Sequence, residues 1–345
     1  MNVLGIETSC DETSVAVVKD GRKILSCEVS SSLQIHKLYG GVIPEIASRA
    51  QLETISGVAG QALKNAKVRL KDIGLIAVTT EPGLPGSLLV GVAFARAVSL
   101  ACGIRLINVD HVLSHIYANF LDGAGVKIPF IALVVSGGHT NLYMVKSFAD
   151  IKALGRSQDD ACGEAFDKTA KILGLGYPGG PAIEKASLRG NAKSIKFKCC
   201  GTSNPLDFSF SGIKTAVLYY TNKHVSRTTN DPSTWFDFAH HRSLGVNGRR
   251  TTNDGIRTTI CDIAASFQES VIGALVSKSV LACASHKIKR LVIGGGVACN
   301  ERLREKFRLE CRCRGIDVSF PAKSLCTDNA AMVAGLGYCL YKTGG

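Results

Sequence analysis

The sequence lacks an uninterrupted apolar run long enough to cross a membrane. Its longest apolar stretch, Gly86 to Leu106, is broken by Arg96, so it reads as a buried helix and not a membrane span. Met1-Asn2-Val3-Leu4-Gly5-Ile6-Glu7 has no basic region followed by an apolar core, and without a leader of that kind the expected location is the cytoplasm. Zinc-type cysteine spacing is missing as well. Cys311-Arg312-Cys313 is not a zinc pattern, and the length and the absent leader argue against a disulfide framework for the 13 cysteines. Cys10, Cys102, Cys162, Cys283 and Cys299 stand in apolar or glycine-rich surroundings and read as reduced, small core residues. No His-Glu-x-x-His occurs, so the built-in general base of a zinc protease is absent. Acidic residues are in short supply, with 28 Asp and Glu against 41 Lys and Arg. The resulting net charge of +13 favours a polyanionic partner, nucleic acid before an anionic membrane.

What is present is a large apolar fraction, 46% of 345 residues, enough for two lobes with substantial cores. Near the middle, Phe130-Ile131-Ala132-Leu133-Val134-Val135 and Asn141-Leu142-Tyr143-Met144-Val145 flank Ser136-Gly137-Gly138-His139-Thr140. Apolar, β-branched runs around a small polar turn predict a tight hairpin. Two glycines let backbone N–H groups approach an anion, although an ordinary glycine turn has the same composition. The chain opens the same way. Val3-Leu4-Gly5-Ile6 runs into Glu7-Thr8-Ser9-Cys10-Asp11-Glu12-Thr13 and out through Ser14-Val15-Ala16-Val17-Val18. Such an internal repeat sets the architecture: two hairpins facing across a cleft place small-residue turns at opposite ends of a phosphate chain.

Between the hairpins the pattern alternates. Gln34 to Gly41 reads as a loop, and a helix starts at Pro44. A strand follows over Ile73 to Thr79, a helix over Leu88 to Ala101, a strand over Arg105 to Val109, and a helix to about Leu121. The second half adds a helix over Gly163 to Leu173, one beginning at Ala182, one after Phe208-Ser209-Phe210-Ser211-Gly212, and one over Ile260 to Ser285. It closes with a strand over Arg290 to Ile293, a basic helix, and a last helix from near Asp328 to Tyr341. From about 220 to 256 the pattern fails and reads as an inserted excursion. The whole is an α/β chain with mixed sheets, divided into an N-terminal lobe over 1–125 and a C-terminal lobe over 126–345.

His111 and His115 are four apart, so a helix projects both from one face, as a bidentate metal site needs. They follow a strand's C-terminal end, where open α/β sheets place ligands; two surface histidines share the same spacing. Asp328 is a candidate third ligand, with a helix N-cap as the competing account. Gly294-Gly295-Gly296 after a strand lets a base or ribose approach the backbone, with Asn300 to donate or accept; a plain strand-to-helix turn has the same residues.

Taken in order, Glu7-Thr8-Ser9-Cys10-Asp11-Glu12-Thr13, Pro44-Glu45 with Ser48-Arg49, Pro82-Gly83-Leu84 with Gly86-Ser87-Leu88, His111-x3-His115, Ser136 to Thr140, Phe208 to Gly212, Gly295-Gly296-Val297 with Asn300, and Cys326-Thr327-Asp328-Asn329 resemble one family over nearly the whole chain. It is the TsaD family of tRNA adenosine threonylcarbamoyltransferases, once described as O-sialoglycoprotein endopeptidases. The resemblance implies duplicated lobes of the actin, Hsp70 and sugar-kinase (ribonuclease H-like) type around a nucleotide cleft. It implies transfer of threonylcarbamoyl from threonylcarbamoyl-AMP to N6 of adenosine 37 in tRNAs that read codons beginning with A. One ferrous ion per chain, or zinc in its place, falls on His111, His115 and Asp328. Substrate contacts, whether to the adenylate or to ATP, fall on Val135, Ser136, Gly137, Gly138, His139, Asp167, Gly180, Glu184 and Asn300. Asp11 and Glu12 occupy the family's acidic first loop and are the catalytic candidates. Expected partners are tRNA, a paralogue of the same fold and a P-loop ATPase, with no membrane. Glu81 and Gln51 depart from the family pattern, which usually has glycine and histidine there. The competing readings are a metal-dependent peptidase, for which His-Val-Leu-Ser-His offers no base, and a non-catalytic scaffold, which need not keep a metal site. Three basic groups are the expected phosphate contacts: Arg302, Arg304, Lys306 and Arg308; Arg189, Lys193, Lys196 and Lys198; and Lys287, Lys289 and Arg290.

Overall fold

A computed structural model of the chain describes residues 1–123, 125–224 and 250–344. Among these residues ten strands form two five-stranded sheets. β1 (Asn2–Glu7), β2 (Glu12–Lys19), β3 (Lys23–Ser31), β4 (Ile73–Glu81) and β5 (Leu106–Asp110) lie in the order β3-β2-β1-β4-β5. β6 (Phe130–Val135), β7 (Thr140–Ser147), β8 (Asp150–Arg156), β9 (Arg290–Gly294) and β10 (Asp317–Ser319) lie in the order β8-β7-β6-β9-β10. In both, the first three strands are antiparallel neighbours and the last two join in parallel. The duplication expected from the two hairpins is therefore a duplication of whole sheets.

Strand alternation dictates the layering. On β1, Val3 faces inward while Leu4 and Ile6 face outward; on β6, Phe130, Ala132 and Val134 face inward while Ile131, Leu133 and Val135 face outward. Between the inner faces lie two helices, α4 (His111–Tyr117) and the last helix, α10 (Ala330–Thr343). Small residues such as Ala330, Ala331 and Ala334 let α10 pack against β1, β2 and β4. Helices α2 (Pro44–Ala66) and α3 (Pro85–Cys102) cover the outer face of the first sheet. The outer face of the second is covered by α5 (Cys162–Ile172), α6 (Gly179–Ser187), α7 (Ser211–His224), α8 (Arg250–Ser285) and α9 (Glu301–Cys313). Each inner helix follows the last strand of its sheet, so α4 and α10 are counterparts in the duplicated halves.

Several expectations change. Most of the stretch Gln34 to Gly41, read as a loop, belongs to the short helix α1 (Leu33–Tyr39), closed by Gly40 in the left-handed region. The apolar stretch after Gly86 is a helix but not a buried one. Ser87, Gly91 and Ala95 of α3, spaced by four, are its buried residues, Val90, Phe94 and Val98 pack half-buried against the core, and Leu89 and Leu100 are exposed. By length and composition alone, α3 and residues 260–285 of α8 could each span a membrane; the latter is mostly buried inside the protein. Most of the excursion near 220–256 lies outside the described residues, but its first residues continue α7 to His224 and its last belong to α8. Of the cysteines expected in the core, Cys162 and Cys283 are buried, Cys10 and Cys299 are half-buried, and Cys102 is exposed.

Candidate metal centre and nucleotide cleft

β5 delivers the chain to Asp110, whose Oδ1 accepts from Leu113 N at 2.8 Å and caps α4. The helix therefore starts at His111, and His115 lies one turn on. Across the inter-sheet layer α10 starts with its own cap, but the cap is Asn329, whose Oδ1 accepts from Met332 N at 3.1 Å. Asp328, left open as a possible cap by the sequence, points instead at the histidines. Its Oδ1 lies 3.2 Å from His115 Nε2 and 3.6 Å from His111 Nε2. Donor atoms bonded to one ion at about 2.1 Å sit about 3.3 Å apart, so these three are spaced as ligands of a single cation. His115 adds a second observation, because it is buried, its Nδ1 has no hydrogen-bond partner among the described residues, and its Nε2 meets the Asp328 carboxylate without hydrogen-bond geometry. Buried polar atoms are rarely left in that state. Two imidazoles and one carboxylate with open positions suit ferrous iron or zinc.

Sequence reasoning did not assign Glu7 to the site. It is fully buried, and its oxygens accept from Ser9 N at 2.6 Å and Thr79 Oγ1 at 2.6 Å. His111 Nδ1 lies 3.1 Å from Glu7 Oε2 and 3.1 Å from Ser9 Oγ. A carboxylate on one ring nitrogen leaves the other, Nε2, free to face Asp328. The buried, otherwise apolar β1 gives the only sequence signal, a lone glutamate at its end. Charge balance runs through the cluster. Burial alone raises the Asp328 carboxyl, but the His111 and His115 rings hold it well below the carboxylate range. Burial disfavours the His111 cation, yet Asp328 and Glu7 raise it to about 9. In Glu12, burial and then the charges of Asp328, Asp11 and Glu7 all act upward, to about 9.

The acidic loop over Glu7 to Glu12 is held from outside. Gln51, buried on α2, donates Nε2 to Cys10 O at 2.9 Å and to Glu12 O at 2.9 Å, so its amide does a positioning job that a histidine could share. Glu81, the other departure, ends β4 on the exposed surface. Gln51→Leu keeps the volume and strands two carbonyls. Its expected cost is about 1–3 kcal/mol, read as a lowered midpoint in urea unfolding; an unchanged midpoint contradicts the clamp.

The glycine turn lies at the end of β6. Ser136 N donates to His139 O at 2.8 Å and His139 N to Ser136 Oγ at 3.1 Å, which closes it. Val135 and Ser136 are buried, Gly137 and Gly138 are exposed, and His139 is half-buried, its imidazole lowered by burial and by the nearby His111 and His115. Among the described residues the amides of Gly137 and Gly138 donate no hydrogen bond. Beyond them opens a cleft lined by Gly137, Asp167, Gly180, Glu184 and Asn300, five of the expected contacts in one place. Two carboxylates there are partly engaged: Asp167 Oδ1 accepts from Gly179 N at 2.6 Å and Glu184 Oε1 from Glu301 N at 2.7 Å. Burial raises the Asp167 carboxyl. Asn300 is mainly structural. Its Oδ1 caps α9 by accepting from Leu303 N at 2.9 Å, and its Nδ2 donates to Gln268 Oε1 at 2.9 Å.

The basic groups divide. Arg302 and Lys306 both pair with Glu269, Arg304 is buried on carbonyls, and Arg308 lies over the Phe320 ring. That helix is therefore engaged with its own protein. Arg189, Lys193, Lys196 and Lys198 are exposed and make no ion pair among the described residues. They lie on a segment strapped along α8, where Asp262 accepts from Asn191 N at 2.6 Å and Ser266 Oγ from Ile195 N at 3.2 Å.

A family model described as tRNA N6-adenosine threonylcarbamoyltransferase matches residues 23–335. The curated enzyme of that name from Clostridium botulinum (strain Hall) is 45% identical over 345 residues, covering 100% of this chain and 94% of its own. That from Desulfitobacterium hafniense is 46% identical over 342 residues, covering 99% and 92%. Among solved structures, HypF from T. kodakarensis superposes with a TM-score of 0.63 at 14% identity, over 99% of this chain and 48% of that one. The Acidaminococcus fermentans (R)-2-hydroxyglutaryl-CoA dehydratase component A gives 0.51 at 15%, over 100% of both chains. These two structures share the fold with it.

Proposed function

The chain belongs to the TsaD family of tRNA N6-adenosine threonylcarbamoyltransferases, and from that premise we propose that it moves threonylcarbamoyl from threonylcarbamoyl-AMP to N6 of adenosine 37 in tRNAs reading codons that begin with A. The observation that carries this reading is the turn over Ser136 to His139, which joins the cleft through Gly137 to the His111, His115 and Asp328 cluster through His139. A phosphoryl-linked acyl donor needs both an anion cradle and a charged centre, and here they adjoin.

In the reaction, N6 attacks the carbamoyl carbon, the bond from that carbon to the phosphate oxygen breaks, and AMP leaves with the electron pair. An exocyclic adenine amine is a poor nucleophile, so the site works by positioning and by stabilising charge. The free amides of Gly137 and Gly138 receive the adenylate phosphate, and Asp167 and Glu184 face the nucleoside end. Asp11 and Glu12 are the catalytic candidates; Glu12, raised to about 9, holds its own proton at neutral pH, which leaves Asp11 as the carboxylate placed to take the N6 proton. His111, its ring oriented by Glu7, would hold one iron(II) or zinc ion together with His115 and Asp328, and the ion would supply Lewis acidity there. The exposed Arg189, Lys193, Lys196 and Lys198 contact tRNA phosphates. The exposed side chains of Leu38, Leu52 and Leu89 are available to a protein partner of the same fold, alongside a P-loop ATPase. The protein acts in the cytoplasm.

A Cβ at Gly138 meets no protein atom within 4 Å, so Gly138→Val leaves the fold intact and obstructs only the ligand. Its AMP affinity is expected to fall by about tenfold or more; equal affinity in the folded variant removes the turn from the binding site. The transfer reading is tested by AMP release from threonylcarbamoyl-AMP with and without tRNA. Release that depends on tRNA supports it, and equal release in both contradicts it.

A further inference from the structure

Three successive carbonyls of the acidic loop are held from outside. Gln51 takes those of Cys10 and Glu12. Ser32 takes the one between them: its Oγ donates to Asp11 O at 2.8 Å and its N to the same oxygen at 3.3 Å. Ser32 is the single residue between β3 and α1, and its hydroxyl does not cap the helix, because it is turned onto Asp11. That hydroxyl is itself held. Its Oγ lies 3.0 Å from Nε2 of His36, which is fully buried and the one buried residue of α1. The other ring nitrogen, Nδ1, accepts from Ile43 N at 3.3 Å, at the entry to α2. These partners fix the direction of each proton. The Ile43 N–H can only donate, so Nδ1 is the acceptor of the ring and its proton stands on Nε2. Nε2–H therefore donates to Ser32 Oγ, and the Ser32 O–H goes on to Asp11 O. Packing alone does not account for the histidine. An apolar side chain at that inward position would bury with no hydrogen bonds to satisfy, and α1 leaves Ile35 and Leu38 exposed.

We propose that His36 is a positioning residue for the transfer step, which through Ser32 sets the peptide between Asp11 and Glu12 and so the aim of the Asp11 carboxylate. His36 touches no reacting atom. It orients the Ser32 hydroxyl, and that hydroxyl holds the carbonyl about which the loop backbone would otherwise turn. The positioning role rests on the transferase reading; the chain of hydrogen bonds does not. The glycine turn at Gly137 and Gly138 and the ligand cluster of His111, His115 and Asp328 lie on other elements. Cutting the chain therefore slows proton removal and leaves the binding of the donor and of metal as they were.

Three variants divide the chain of bonds. His36→Gln puts an amide donor where Nε2 stands and keeps the link to Ser32. His36→Asn puts an amide oxygen where Nδ1 stands and keeps only the bond from Ile43 N. Ser32→Ala cuts the link and leaves the histidine in place. Each is assayed as the full, metal-loaded chain with its partner proteins, for kcat and KM of tRNA-dependent AMP release from threonylcarbamoyl-AMP. His36→Asn and Ser32→Ala should lose kcat by about tenfold or more, as for a displacement approaching 1 Å, and His36→Gln should stay within about threefold of the unaltered chain. KM and metal content should be unchanged in all three. His36→Gln and His36→Asn each drop one bond, so their urea midpoints should match while kcat separates them. Equal kcat in those two variants, kcat losses that follow the midpoints, or a loss carried by KM overturns the proposal. Nitrogen NMR of histidine-labelled protein reads the chain without turnover. The signal missing in His36→Gln should belong to a ring protonated at Nε2, and a proton on Nδ1 overturns the proposal whatever the reaction. An unaltered chain that shows the Nε2 proton but no tRNA-dependent release removes the transferase reading, and the positioning role with it.

Discussion

Asp328→Ala should purify with less than about a tenth of the metal bound by the unaltered chain and lose tRNA modification by about a hundredfold or more. Removing the carboxylate takes away the one anion that lies between His111 Nε2 and His115 Nε2. The two rings then meet edge to face, 4.7 Å between centroids, with no carboxylate left among the three donor atoms. The cap of α10 survives, because Asn329 and not Asp328 accepts from Met332 N, so the variant should fold. Metal content by elemental analysis and the unfolding midpoint together decide the matter. Full metal occupancy in a folded Asp328→Ala protein rules out the three-residue site.

Gly295→Ala should destabilise the protein by about 3 kcal/mol or more and cost the cleft its shape. Gly295 has φ +93°, in the region that L side chains rarely adopt, and an added Cβ falls 2.3 Å from Val135 O. That oxygen belongs to β6 immediately before the glycine turn, so relief by backbone movement displaces Ser136 to His139. Gly296→Ala is the control, since a Cβ there meets nothing within 4 Å. Urea unfolding of the two variants should separate them clearly; equal midpoints contradict a steric requirement at 295.

Much of this architecture was legible in the residues. The continuous apolar runs Phe130 to Val135 and Val3 to Ile6 marked strands, and the repeated hairpin marked the duplication. β8 and β10 were not legible, because Asp150-Ile151-Lys152-Ala153 and the three residues of β10 are edge strands with exposed, polar positions. Helix α1 was missed because seven residues carry little period and Ser32 makes no side-chain cap. At the site, the i, i+4 spacing of His111 and His115 was visible and the partner carboxylate only nominable. Asp328 reaches them because α4 and α10 are counterparts packed between two sheets, a relation of layers that no local pattern carries. Glu7 stayed hidden for the same reason: its role depends on β1 ending beside α4. The basic helix misled in the opposite direction. Arg302, Arg304 and Lys306 look like free cations in sequence, and their partners Glu269, Ala298 and Pro321 lie elsewhere in the chain.

The most direct test of the account is incubation of the metal-loaded protein, with its partner proteins supplied, with unmodified tRNA and threonylcarbamoyl-AMP, followed by nucleoside mass spectrometry. The account predicts N6-threonylcarbamoyladenosine at a single anticodon-loop adenosine, formed by the unaltered chain and lost in Asp328→Ala. Recovery of unmodified adenosine from the unaltered protein, or equal modification by the Asp328→Ala protein, would contradict it.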